Sequence, residues 1–181
     1  VIQHILANGT VVFQWRSFDH FQITDTDTNF VDLTGNYIDY VHANALSIDF
    51  DGNILMSSRH LNEITKINTT TGNVIWRMGG NANQFTFIND PHGFGGQQSS
   101  YFNGDKSYTL FNNGNFLNPE RSNGMDYAID HNNLMATLTN EYNIDEVLVY
   151  ADAMGHMQRL DDGHSIIGWA ANSENFVLSE F

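Results

Sequence analysis

The sequence predicts an all-β fold of small antiparallel sheets, on three observations. Short apolar runs alternate with two- or three-residue turns, the same turn-then-strand pattern recurs along the chain, and no stretch of twelve residues carries a clean helical stripe. The pattern is sharpest between Asp39 and Phe85. There Ala45 to Phe50, Ile54 to Met56, Ile64 to Ile67 and Val74 to Met78 are separated by Asp51-Gly52, by polar His60 to Asn62 and by Thr71-Gly72, which is strand and tight-turn chemistry.

Taken in order, Gly9 to Trp15 places a turn glycine before alternating Val11, Phe13 and Trp15, as Gly72 does before Val74, Trp76 and Met78. Both read as outer strands of a blade. Asp51-Gly52 before Ile54, Asn103-Gly104 before Tyr108, and Asp162-Gly163 before Ile166 read as hairpins between a blade's innermost strands. One such unit could not bury its faces alone, so neighbours are required. The expected architecture is a β-propeller segment of about three blades, each a four-stranded antiparallel sheet. It comprises a closing hairpin (1–20), a blade over 42–79, a longer one over 92–142 and the start of another over 156–181. A propeller closes around a channel, so this segment is expected to belong to a larger propeller, its remaining blades coming from the same or another chain. A β-sandwich with irregular strands is the competing architecture.

Composition narrows the partners. The 181 residues carry 41% hydrophobic and 13% aromatic side chains, enough for a packed core. Seven Lys and Arg against 21 Asp and Glu give a net charge of -14, which repels a phosphate backbone, so nucleic acid is not an expected partner. No apolar run reaches the length of a membrane span, and residues 1–20 lack the apolar core of a signal peptide. There is no cysteine, hence no disulfide and no thiolate chemistry. The acidic, lysine-poor, asparagine-rich composition points to a periplasmic or extracellular setting.

A site is suggested by repetition. His42, Gln98 and His156 each precede an inner strand, 56 and 58 residues apart. In a propeller the innermost strands begin near one axis, so such residues converge. Asn44 adds a second polar group beside His42. Arginines are scarce in this acidic chain, and Arg59, Arg121 and Arg159 fall near strand ends where fork-shaped donors could hold a compact anion. Arg16 and Lys66 read as surface charges, Arg77 as a solvent-facing neighbour of Trp76, and His4, His20, His131 and His164 as loop or turn residues. No metal site is expected, because no pair of His, Asp or Glu sits at close ligand spacing on one element with a third donor nearby. The Gly79-Gly80 and Gly93 to Gly96 stretches lack the Lys-Ser/Thr of a phosphate loop.

An ordered set of short motifs spans nearly the whole chain: Asp39 to Asn44 (DYVHAN), Ser57 to His60, Gly72 to Gly80 with Phe85, Thr109 to Gly114, Gln158 to Leu160 with Gly168-Trp169, and Ser179 to Phe181. This set resembles the arylsulfotransferase family of β-propeller proteins. The resemblance implies sulfuryl transfer from an aryl sulfate to a phenol, with no nucleotide cofactor, through a sulfated histidine in the propeller funnel. It carries His42 to the family's His-x-Asn motif, Arg121 to the arginine after its Phe-Asp-Asn-Gly segment, and His156 to the last part of the site. With the inner-strand reading, the expected catalytic residues are His42, His156 and Arg121, and the substrate-binding residues are Asn44, Arg59, Gln98 and Arg159. Two departures stand out. Gln97-Gln98-Ser99 replaces Gln-His-Asp, and Phe111-Asn112-Asn113-Gly114 replaces Phe-Asp-Asn-Gly. An amide at 98 can bind an oxyanion but cannot act as a nucleophile or carry a proton as imidazole does. The alternative reading is therefore a catalytically inactive extracellular propeller serving as a binding or structural module.

Overall fold

The computed structural model describes all residues except 105, 106, 145, 146, 173, 175 and 176. It is all-β apart from two short 3-10 turns, Ser17–Asp19 and Ile23–Asp25. A hairpin of β1 (Ile2–Ile5) and β2 (Val11–Trp15) comes first. β3 (Ala43–Ile48), β4 (Ile54–Ser58), β5 (Glu63–Ile67) and β6 (Val74–Gly79) then form a four-stranded antiparallel meander. Its first turn follows from local chemistry. Gly52 adopts φ +78 and donates its N–H to the Asp49 carbonyl, a conformation that costs a glycine little.

The next sheet departs from the expected four strands. β7 (Thr86–Ile88) lies parallel to β11 (Met135–Tyr142), adding a fifth strand outside the antiparallel run of β8 (Gln98–Phe102), β9 (Ser107–Asn112), β10 (Asn123–Asp130) and β11. Phe85 and Phe87 explain it, since both rings pack into the core between this sheet and the preceding one and hold the connecting segment against β11. The last part comprises β12 (Ala151–Ala153) paired with β15 (Ala171–Asn172), and β13 (His156–Arg159), β14 (Ser165–Gly168) and β16 (Leu178–Glu180) in a three-stranded antiparallel sheet.

Successive sheets are joined by three apolar clusters. Trp15, Phe21 and Tyr40 meet one face of the β3–β6 sheet at Ile54, Met56 and Ile67. Its other face, through Leu55, Ile64, Trp76 and Met78, packs on Tyr108, Leu110, Met125 and Tyr127 of the next sheet. Phe111 then meets Met157, Ile167 and Trp169. Every residue of β4 and β5 is buried, β4 through apolar and small side chains and β5 with its Glu63 and Lys66 charges paired. Each fully buried large apolar side chain contributes about 1.5–3 kcal/mol, so these interlayer contacts dominate the stability.

Two charges read as surface groups from the sequence are not. Lys66 is buried, its Nζ 2.5 Å from Asp49 Oδ2 and 2.8 Å from Asp51 Oδ2 and facing the Phe50 ring. Arg77 is largely enclosed, bonded to Glu63 and Asp25 at 2.8 Å and stacked over Phe21. In both, carboxylates of the same sheet do the neutralising, Asp49 and Asp51 at the β3–β4 turn for Lys66 and Glu63 on β5 for Arg77, with Asp25 added from the 3-10 turn. His131, read as a loop residue, packs against Phe50, Trp76 and Tyr108. Arg16 is exposed and paired with Asp19, as an ordinary surface charge.

Candidate functional site

The first strands of consecutive sheets lie side by side, β3 against β8 and β8 against β13. Bonds tie their starting ends together. Asn44 Nδ2 donates to the Gln97 carbonyl at 2.7 Å, and the Met157 N–H donates to Ser99 Oγ at 3.1 Å. Arg59, at the end of the β4 hairpin strand, reaches across and donates from Nη2 to the Asp152 carbonyl at 2.7 Å, just before β13. His42, Asn44, Arg59, Gln98 and His156 therefore sit on one linked set of strand starts.

His42 is the most constrained of them. It precedes β3 with φ +48, a left-handed conformation that non-glycine residues seldom adopt. The Asp39 carboxylate holds it there, Oδ1 accepting the His42 N–H at 3.2 Å and Oδ2 lying 2.6 Å from Nδ1. A carboxylate can only accept, so Nδ1 carries a proton and Nε2 is the nitrogen left to exchange one with a substrate. His60, read from sequence only as part of a turn, lies alongside. Its ring centroid is 4.4 Å from that of His42, its Nδ1 is 2.5 Å from the Asp39 carbonyl, and burial lowers its pKa. His42 and Asp39 also line a hollow of about 530 Å³ whose walls include Ile2, Trp15, Leu46 and Met56. A polar pair beside apolar walls suits an aromatic ring carrying a charged group.

His156 opens β13. Its Nδ1 lies 3.5 Å from the Tyr101 hydroxyl, with the two rings edge to face, and burial lowers its pKa, favouring the neutral imidazole. Arg59 stacks over Phe30, its Nε is buried without a partner, and burial lowers its pKa from the usual guanidinium value without discharging it. A buried, unmatched N–H on a cation is a donor in search of an anion. Gln98 is half-buried, paired through its backbone with Phe111 at a bulge where Ser99 takes φ +45.

Two predicted residues lie apart from this set. Arg121 Nη2 is 3.4 Å from Glu141 Oε1, and the side chain lines one hollow with Asn89 to His92 and another with Asn143, Ile144 and Val147. Arg159 is at the far end of β13, with Nη1 3.5 Å from Ser107 Oγ, beside Tyr101 to Asn103.

The segments that carry these motifs have structural roles. Gln97 is fully buried and its Nε2 donates to Ser57 Oγ, Ser58 O and Glu63 O, locking β8 to the preceding sheet. Asn112 Oδ1 accepts the N–H groups of Gly95 and Gly114, and Asn113 Nδ2 donates to Ala151 O and Met154 O. Gly114 has φ +64, and a Cβ there would lie 1.9 Å from the Arg121 carbonyl, so only glycine fits.

Sequence reasoning missed Asp39 and His60. Asp39 had a signal, a turn-forming carboxylate three residues before a strand-start histidine. His60 had none, because only the fold brings it to His42. With His60 present, Asp39, His42 and His60 each offer a donor atom within 4.8 Å of the others, so the third metal-type donor thought absent is supplied by another loop.

The family model for arylsulfotransferase (ASST) matches residues 2–179. The chain belongs to the arylsulfotransferase family. No curated protein matches it. The resemblance puts His42, Arg121 and His156 forward as the expected catalytic residues. Of these, His42 and His156 lie on the linked strand starts, whereas Arg121 faces Glu141.

Proposed function

We propose that this arylsulfotransferase-family chain forms consecutive blades of a β-propeller and transfers a sulfuryl group from an aryl sulfate to a phenol at the starts of its first strands. Support for the propeller comes from layered packing. Three apolar clusters separate successive sheets, and first strands lie next to first strands, whereas a two-sheet sandwich would enclose one core. Blades over 42–79 and 92–142, flanked by a closing hairpin and a following blade, account for this order, with further blades completing the ring.

The observation that carries the activity is the His42–Asp39 contact of 2.6 Å at a strand start linked to that of His156. His156, favoured neutral by its burial, attacks the donor's sulfur, forming an N–S bond as the S–O bond to the aryl group breaks. His42, oriented by Asp39 and carrying a second proton on Nε2 at this step, delivers that proton to the departing phenolate. It takes one back from the incoming phenol, whose oxygen attacks sulfur and releases His156. Arg59 and Gln98 offer N–H donors to the sulfuryl oxygens, and Asn44 supports the strand start through Gln97. Arg121 must leave Glu141 to contribute, and Arg159 serves from the rim. The acidic, lysine-poor, asparagine-rich composition supports work in the periplasm or outside the cell. No helix among the described residues is long and apolar enough to cross a membrane.

The test is 4-nitrophenyl sulfate with a phenol acceptor and the purified full-length protein. Phenolate release that vanishes in both His42→Ala and His156→Ala supports the reading, and release unchanged in both overturns it. Gln98, standing where the family motif carries histidine, favours a second reading as an inactive binding module. Saturable aryl sulfate binding without turnover, and turnover gained in Gln98→His, would establish that reading.

A further inference from the structure

Asp39, His42 and His60 form a group that acid–base work by His42 does not require in full. Among the described residues it is the one set of three His, Asp or Glu donors gathered within 4.8 Å. We propose that this cluster binds a zinc-type divalent cation through one imidazole nitrogen of each histidine and a carboxylate oxygen of Asp39, with a fourth position open to solvent.

The chemistry of the donors selects the ion. Two imidazoles and one carboxylate suit zinc and its first-row neighbours, and three protein ligands with one open position is a familiar zinc arrangement. The distances are close to what coordination needs. Tetrahedral ligands at zinc bond lengths stand about 3.3 Å apart. His42 Nδ1 to Asp39 Oδ2 is 2.6 Å, and His60 Nδ1 to the same oxygen is 3.9 Å. One separation opens and the other closes by less than about 1 Å, within reach of side-chain rotation. The ion replaces the hydrogen now lying between His42 Nδ1 and Asp39 and the one that His60 Nδ1 gives the Asp39 carbonyl 2.5 Å away, and each imidazole keeps one proton, moved to Nε2.

The frame is already fixed. The Arg59 N–H donates to the His42 carbonyl at 3.0 Å and the His60 N–H to the Val41 carbonyl at 3.3 Å, so the two ligand-bearing loops are held together by main chain. Access is graded as an ion site needs, with side-chain exposures of 45% for His42 and 39% for Asp39 against 13% for His60. The tilted imidazoles of His42 and His60, with centroids 4.4 Å apart, flank one carboxylate, and a divalent ion binds both rings as neutral ligands. The consequence for catalysis rests on the proposed function. An ion on His42 Nδ1 leaves Nε2 protonated and the imidazole unable to accept the phenol's proton, so the ion switches transfer off.

The test uses full-length protein stripped with a chelator. Co²⁺ titration followed by visible absorption, and Zn²⁺ titration by calorimetry, should show one saturable equivalent with the intense bands of tetrahedral cobalt. His60→Gln and Asp39→Ala should each weaken it at least about tenfold, and surface His164→Gln should leave it unchanged. Each variant is checked by circular dichroism, and if His60→Gln does not fold, His42→Gln gives the same comparison. No saturable equivalent, or one indifferent to all three cluster variants, overturns the proposal. Because binding is read without turnover, a protein that transfers no sulfate can still pass this test, and one that transfers sulfate can still fail it.

Discussion

Asp39→Asn separates orientation of His42 from its presence. Asparagine keeps a carbonyl oxygen for the His42 N–H, now 3.2 Å from Asp39 Oδ1, so the left-handed turn before β3 should survive. The amide then presents Nδ2–H₂ where Oδ2 accepted His42 Nδ1 at 2.6 Å. Two donors cannot face each other, so the imidazole proton moves to Nε2, the nitrogen required to exchange protons with the phenol. A charge-assisted hydrogen bond is worth about 1.5–3 kcal/mol when sheltered, and the partial exposure of this pair brings the stability loss to about 1 kcal/mol. The catalytic loss is larger. Misplacing a general acid–base group costs about 10²–10⁴ in rate, so kcat in the 4-nitrophenyl sulfate assay should fall at least about 100-fold with little change in KM. Melting within a few degrees of wild type confirms the fold. A folded Asp39→Asn protein with kcat within about threefold of wild type would refute the reasoning.

Further expectations follow from the same geometry. Burial lowers the His156 pKa, so the acid limb of kcat/KM should fall with a midpoint below the usual imidazole value of about 6.5, and a midpoint at or above that value contradicts a buried nucleophile. By linkage the same group withholds stability in acid. The folded chain resists protonation, so its contribution is present above about pH 6.5 and is lost as pH falls toward the depressed folded value, which urea melts across pH 5–7 would register. Arg59→Ala should lower kcat/KM about tenfold or more, and Arg121→Ala, whose guanidinium faces Glu141, should do so by less; the reverse order would move the anion site toward Arg121. Lys66→Ala strands the buried Asp49 carboxylate and should cost about 3–5 kcal/mol in urea denaturation, while Lys66→Met, which refills the volume, should not rescue it.

Much of the all-β organisation was legible because it is carried by local chemistry. Asp51-Gly52 and Thr71-Gly72 are turns whatever surrounds them, and alternation set the common face of Trp76 and Met78, whereas Val74, beyond the bulge at Ile67, packs with the other cluster. The motif segments were readable for the same reason, since Gly114 and Asn112 act within a few residues of themselves. Contacts between residues distant in sequence were not legible. Lys66 and Arg77 look like surface charges until the neighbouring carboxylates Asp49 and Glu63 are brought against them. β7 joined its sheet through Phe85 and Phe87, a packing decision with no turn signal of its own. At the site, His42 and His156 were found from their repeated place before a strand, but His60 reaches His42 only through the hairpin between β4 and β5. Arg121 follows its motif in sequence, yet its side chain is drawn to Glu141 on the adjacent strand, and spacing alone carries no information about such local competition.

Peptide mapping by mass spectrometry, after mixing the full-length protein with an aryl sulfate donor and no acceptor, addresses the central claim most directly. A sulfuryl adduct of one equivalent on the peptide containing His156, discharged on adding phenol and slowed in forming by His42→Ala, is the predicted result. An adduct on neither His156 nor His42 while phenolate is released would contradict it.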